Sequence, residues 1–283
     1  MIINYENLFL IVLAIIWIIG AVLQDLRRRE VDNIWNFSLI GIALAYRAGV
    51  SVFTSDYWFL LNGIFGFILF LFIGNLFYYS RVFAGGDAKL LIALGAVLPF
   101  SYDWIVNLKI FAWFVLLFLL MGSFYVLIWS IVLVFRNFKK FFREFKIYSK
   151  KYGNFFIFGF ILFLLWIIVV YFINNQILFL LFGFVFLLFP LLFVFAKAVE
   201  ESCMIRNLSP SEVTEGDWLY KDIFILGKRI KASWDGVSAS ELKLIRKKYH
   251  GKILVKFGVP FTPGFLFGFL VLLYLMWKFA WVF

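Results

Sequence analysis

The chain has little of what most soluble enzymes rely on. It contains a single cysteine and a single histidine in 283 residues. Cys203 has no second cysteine to bridge, so an intrachain disulfide and a cysteine-rich zinc site are both excluded. His250 alone excludes a multi-histidine metal site. Charge is also scarce. Only 15% of residues are Asp, Glu, Lys or Arg, against about 25% in an ordinary globular domain. A basic patch on a soluble domain, the mark of a nucleic-acid binder, is missing too. The net charge of +11 comes mostly from lysines and arginines placed between apolar runs, and no nucleic-acid partner is expected.

What the chain has in excess is apolar surface. It is 65% hydrophobic and 23% aromatic, with 41 phenylalanines. One soluble core cannot hide that much apolar area, so lipid must serve as the main solvent. A membrane-crossing helix needs about 20 mainly apolar residues. Candidate spans lie near 8–24, 36–54, 58–79, 88–100, 105–135, 154–173, 177–197 and 262–283. The fourth is short and the fifth long, with Pro99–Asp103 as the turn between them. The first run has no basic residue ahead of it and no small-residue cleavage site behind it, so it reads as a retained helix and not as a cleaved signal. The fold class is therefore an all-α polytopic membrane protein of about six to eight transmembrane helices with a small α+β cytoplasmic domain.

Basic residues set an orientation. With the N-terminus outside, the inner segments are 25–35, 80–89, 136–153 and 198–261, and with Lys197 at the edge they hold 24 of the 27 lysines and arginines. Arg47, Lys109 and Lys278 are the exceptions. The outer loops carry Asp56, Asp103 and the uncharged Asn174-Asn175-Gln176. This is the positive-inside pattern of a multi-pass protein of the plasma membrane.

Four regions follow: a core over 1–135, a basic segment with two further helices over 136–197, a small inner domain over 198–261, and a last helix over 262–283. Segment 136–153 alternates bases and aromatics at helical spacing and suits the headgroup layer of anionic lipid; a docking surface for a partner is the other reading. In the small domain, strands are expected at Trp218–Leu226, Arg229–Ala232 and Lys252–Phe257. Ser238-Ala-Ser-Glu241 is a capping box that opens a helix through Lys248, ended by Gly251. Val259-Pro-Phe-Thr-Pro-Gly264 is a rigid lead-in to the last helix.

Two acids stand out. Asp25 follows the first span and Asp87 opens the fourth. Ionisable residues in or beside apolar spans are costly and point to function. By the topology above both lie at the inner ends of their helices, at one depth. Two close carboxyls hold a single proton between them. The ionised member takes a proton from water while the protonated one polarises a carbonyl. Such chemistry needs no metal, no cofactor and no nucleophilic serine or cysteine. Gly85 and Gly86 precede Asp87; they let a substrate backbone come close and permit φ values closed to other residues. Lys89 either pairs with Asp87 or a substrate carbonyl, or extends toward the membrane interface. Each acid also has a plain structural reading: Asp87 fits a helix N-cap, and Asp25 balances Arg27, Arg28 and Arg29.

Two motifs carry a family resemblance. Asp25-Leu-Arg-Arg-Arg-Glu-Val-Asp-Asn33 and Ala84-Gly-Gly-Asp-Ala-Lys-Leu90 are similar to the two aspartate segments of the type IV prepilin peptidase family, in its archaeal preflagellin and prepilin peptidase branch. The resemblance covers about 8–135, and 198–283 looks like the archaeal C-terminal portion; the spans over 154–197 have no family role. Ala84 stands where the family often has its first glycine, and Asp32 where many bacterial members have proline. The resemblance implies a membrane aspartic endopeptidase, with Asp25 and Asp87 as the catalytic pair. It would remove the short basic leader, a class III signal peptide, from prepilin or preflagellin-like precursors at the cytoplasmic membrane face. The four-cysteine zinc site of the bacterial enzymes is absent, so cleavage without N-methylation is implied. A presenilin-like intramembrane protease is an alternative, although its aspartates sit deeper and its Pro-Ala-Leu motif is missing here. A proton-coupled transporter or channel using the aspartate pair, or a scaffold whose basic loops bind membrane lipid or a partner, are readings of a different kind.

Overall fold

In a computed structural model, residues 5–172 and 177–279 are described. The chain forms two compact units, one of Met1–Ile128 with Val259–Phe283, the other Trp129–Gly258. Helices α1 (Tyr5–Arg28), α2 (Asn33–Thr54), α3 (Trp58–Tyr79), α4 (Gly85–Gly95) and α5 (Trp104–Arg136) follow in order, with α5 running from the first unit into the second. Then come α6 (Phe138–Lys151), α7 (Gly153–Phe172) and α8 (Ile177–Cys203). A small sheet-containing region follows, and α10 (Thr262–Lys278) returns to the first unit.

Among the described residues six helices, α1, α2, α3, α5, α7 and α8, are long and apolar enough to cross a membrane. The chain is a multi-pass membrane protein. Of the eight expected spans, the fourth is an 11-residue helix and the last a 17-residue one. The expected outer loop Asn174-Asn175-Gln176 lies outside the described residues.

The first unit is built by close helix contact. A Cβ on Gly66 of α3 would collide with the carbonyl of Gly95 on α4, and one on Gly74 with Ile92. Small residues at such crossings let apolar helices approach to backbone distance, where dispersion replaces the hydrophobic force that lipid does not supply. Between α1 and α2 the indoles of Trp17 and Trp35 stack with centroids 5.1 Å apart. Each indole N–H donates to the other residue's carbonyl, at 3.0 and 2.9 Å.

Helix α4 stops earlier than the sequence suggested, at Gly95. Arg47 of α2 is the physical reason for this sharp stop. It is fully buried, and its guanidinium donates to the carbonyls of Ala96 (2.9 Å), Val97 (3.0 Å), Pro99 (2.6 Å) and Phe59 (3.0 Å). The last carbonyls of a helix have no partner within it, and a cation there also meets the negative end of the helix dipole. Nearby, Asn107 donates to Asn62 Oδ1 (3.1 Å) and Ser101 O (2.8 Å), and Asn7 to Phe100 O (2.6 Å). The turn after α4 is thus pinned by side chains from α1, α2 and α5.

The sheet-containing region lies in the second unit. Strands β1 (Ile205–Leu208) and β2 (Trp218–Leu219) flank β5 (Ile253–Lys256), both antiparallel. Strands β3 (Ile223–Ile225) and β4 (Lys228–Ile230) form a separate hairpin. Its turn uses Leu226 and Gly227 at φ 48° and 79°, the paired positive values that a two-residue hairpin favours. The single strand expected over Trp218–Leu226 is split between two sheets. Asp222 sits at the break and accepts from the Ala232 N–H (2.7 Å) and the Arg229 guanidinium (2.6 Å), which hold its carboxyl below the ordinary range. Strand β1 was not anticipated: its four residues carry Arg206 and Asn207 at the centre, exposed. The expected capping box is present at the start of α9 (Ala239–Lys248), with the Ser238 side chain accepting from Glu241 N.

Candidate active site

The site assembles at the end of the first unit away from the Arg47 turn. Helix α1 ends there with Arg27 and Arg28 in its last turn. Arg29 takes φ 59°, and its N–H bonds back to the Asp25 carbonyl at 2.8 Å, which closes the helix. The chain then folds over: the Asp32 N–H donates to Gln24 Oε1 (2.9 Å), and Arg28 pairs with Asp32 Oδ2 (2.9 Å). This leaves Asp25 on the inner face of α1, 7% exposed.

Asp87 comes from the other direction. After α3 the backbone turns at Arg81, φ 61°, and buries Phe83 against Phe118, Phe261 and Phe265. Ala84 is the N-cap of α4 with φ −68° and ψ 160°, a conformation open to any L-residue. Alanine in place of the family's glycine therefore imposes no backbone strain. Asp87 is the third residue of the helix, not its N-cap. An acid in the first turn still meets the positive end of the dipole. Gly85 and Gly86 are helical with negative φ, so their service is not an unusual φ. A Cβ on Gly86 would come to 3.4 Å from Val31 N, and one on Gly85 would meet only Tyr78, at 3.7 Å. Gly86 thus allows the turn after α1 to lie on the head of α4, and Gly85 faces nearly open space.

The two acids meet electrically. Asp87 is half-buried and lies within the field of Asp25. Arg29 and the Tyr125 hydroxyl are the other charged or titratable groups that act on Asp25. Lys89 pairs with neither acid. Its Nζ donates to Asn33 Oδ1 at 2.6 Å, and Asn36 Nδ2 reaches the Gly86 carbonyl at 3.5 Å. The last residue of the first motif therefore holds the lysine of the second. An apolar groove of about 380 Å³ opens beside it, lined by Phe37, Ile40, Phe67, Leu71 and Ile92, with Lys89 as its charged residue. Among the described residues no group of three or more His, Cys, Asp or Glu could hold a metal ion.

One site residue escaped sequence reasoning. Thr262, fully buried at the head of α10, donates to Asp25 Oδ2 from its hydroxyl (2.9 Å) and from its backbone N–H (3.2 Å). The available signal was a hydroxyl set between aromatic and proline at the start of an apolar helix, where it has no local role.

Residues 11–135 match the model of the type IV leader peptidase family. A preflagellin peptidase of Methanococcus maripaludis (strain C6) is 32% identical over 136 residues, 43% of this chain and 58% of that protein. A preflagellin peptidase of Methanococcus voltae is 31% identical over 127 residues, covering 41% and 53% of the two chains. That of Methanocaldococcus jannaschii is 32% identical over 89 residues, 29% of this chain and 38% of its own. The chain thus spans under two thirds of the length of these relatives. No solved structure matches it. Both aspartates fall inside the family segment, and Thr262 falls outside it.

Proposed function

We propose, from the match of residues 11–135 to the type IV leader peptidase family and from the paired aspartates, that this protein is a membrane aspartic endopeptidase. Its substrates are prepilin or preflagellin-like precursors, and it removes their short basic leader. The observation that carries this reading is the approach of the end of α1, with Asp25, to the first turn of α4, with Asp87, where the turn after α1 lies on Gly86 and Asp25 acts electrostatically on Asp87. The names of the similar archaeal proteins support the substrate class.

The reaction needs one ionised and one protonated carboxyl. Water attacks the scissile carbonyl carbon and gives one proton to the carboxylate. The carbonyl oxygen takes the proton of the second carboxyl, which leaves a neutral gem-diol. The first carboxyl then returns its proton to the amide nitrogen, and one diol hydroxyl reprotonates the second. The C–N bond breaks, and acid and amine leave. The apolar groove beside Lys89 is suited to the apolar segment that follows the cleavage point. The charge distribution favours an external N-terminus, with the site and the 198–261 segment in the cytoplasm. A membrane-surface site suits a soluble basic leader followed by an apolar helix.

Asp25→Asn and Asp87→Asn, purified separately and incubated with a panel of precursors, are each expected to lose cleavage by a factor on the order of 10⁴. Products are read by mass. Retained cleavage in either variant, with the fold intact, would overturn the reading.

A further inference from the structure

We infer that Thr262 is a positioning residue for the aspartate pair: the head of α10 fixes Asp25 as the proton-accepting member and leaves the shared proton to Asp87. The inference rests on the peptidase reading above and adds a division of roles to it.

The geometry is specific. Two donors from one residue converge on one oxygen, Asp25 Oδ2, and both partners are buried. That arrangement stops rotation of the carboxyl, and the Phe261 N–H beside it adds to the donors on Asp25. A carboxylate oxygen accepts such bonds more strongly than the oxygen of a protonated carboxyl. Hydrogen bonds to the charged form favour that form, and the start of a helix favours an anion. Among the described residues no group donates a hydrogen bond to Asp87. The groups that face Asp25 are Arg29 at the end of α1, Asp87 from α4, Tyr125 from α5, and the Phe261 N–H and Thr262 at the head of α10. Of the pair, Asp87 is the member left to carry the proton.

The support behind Thr262 is rigid. Pro263 sits in the first turn of α10, where its fixed φ suits the helix and its missing N–H costs nothing. Phe261 packs against Phe83 and lies over Gly122 of α5, where a Cβ would collide with its ring. Gly264 and Gly268 lie directly on the α5 backbone at Gly122 and Phe118. The hydroxyl therefore cannot shift along α1 without unpacking the crossing of α5 and α10. The backbone bond is open to any residue but proline, whereas the hydroxyl bond is open only to serine or threonine. That difference makes the idea testable.

Three variants decide it in the full-length protein, with kcat and KM measured on a precursor that the wild type cleaves. Thr262→Val keeps the shape and the backbone N–H but loses the hydroxyl. Its kcat is expected to fall by about 10²-fold, the scale of a misplaced catalytic group, with KM little changed. Thr262→Ser restores the donor and should recover most of that loss. Thr262→Ala should resemble Val. A purely packing role predicts the reverse, with Val active and Ser impaired, and that result overturns the inference. So does a Val variant with wild-type kcat. Failure of the peptidase reading looks different: the wild type itself then cleaves no precursor. Should Val lower expression or stability, thermal unfolding of wild type, Thr262→Val, Asp25→Ala and the double variant measures the bond directly. The Val penalty should largely vanish in the Asp25→Ala background. Additive penalties would show that no bond couples the two side chains.

Discussion

Helices α1–α3, with the short α4, and helices α7–α8 are both apolar sets, yet they use their apolar surface in opposite ways. In the most apolar stretch of α1, 39% of residues are buried; in that of α7 only 11% are. The first set closes around polar groups: Asn7, Asp25, Asn36, Arg47, Ser51 and Asn62 are all buried there. The second set meets through small residues and rings. Gly159 lies against Pro190 and the Phe186 carbonyl, and Gly183 against Trp166. One indole bond, Trp166 Nε1 to Phe179 O at 2.7 Å, ties the pair. Buried polar groups are expensive unless satisfied, and satisfied ones fix a unique arrangement. The chain pays that cost in the unit that carries Asp25 and Asp87, and leaves α7 and α8 as a pair that offers most of its surface to lipid.

The contrast can be broken in several places. The largest effect is expected at Arg47. Arg47→Leu leaves carbonyls of Ala96, Val97, Pro99 and Phe59 buried without their donor. A loss of about 3–5 kcal/mol is expected, read as a fall in thermal unfolding temperature in detergent, together with loss of cleavage. Tolerance at Arg47 would mean that the polar interior is incidental. Next comes a matched pair of leucines. Leu94 of α4 is 0% exposed and Leu165 of α7 is 52% exposed. Leu94→Ala should cost about 2–5 kcal/mol, and Leu165→Ala less than about 0.5 kcal/mol. Equal penalties would erase the distinction between the two sets. The smallest effect concerns the link between motifs. Lys89→Met removes the bond to Asn33 and should cost about 1 kcal/mol. Its cleavage defect should be milder than that of Thr262→Val. A complete loss of activity would instead give Lys89 a direct part in the chemistry.

Much of this was legible in the sequence because it depends on local pattern. Span length, the capping box at Ser238 and the shared end of Asp25 and Asp87 all follow from runs, spacing and charge placement. The family resemblance followed from two short motifs, and residues 11–135 bear it out. What was not legible depends on long-range partners. The bond from Thr262 to Asp25 links positions 237 apart, and nothing near either residue announces it. Arg47 looked like a stray exception to the charge pattern, since only the fold brings four carbonyls to it. The plain structural reading of Asp87, a helix N-cap, fits the pattern of an acid after two glycines but not the fold. The helix begins three residues earlier, at Gly85, because Ala84 already has the extended conformation that a cap needs. Neither glycine uses the unusual φ expected of it, and Gly86 serves the close approach of the chain's own turn after α1. The strand over Trp218–Leu226 was misread because alternation alone does not show that Asp222 is needed to tie a separate hairpin.

The short helix α4 has a consequence of its own. Its 11 residues make a strut about 16 Å long, bolted at one end by a cation and carrying a catalytic candidate at the other. Asp87 stands where it does by residue count back from Ala96, whose carbonyl Arg47 holds. Adding or removing one residue within the strut would move the carboxyl about 1.5 Å along the axis and swing it by over a quarter turn. The reach of the carboxyl toward its partner is thus gauged from the far side of the bundle.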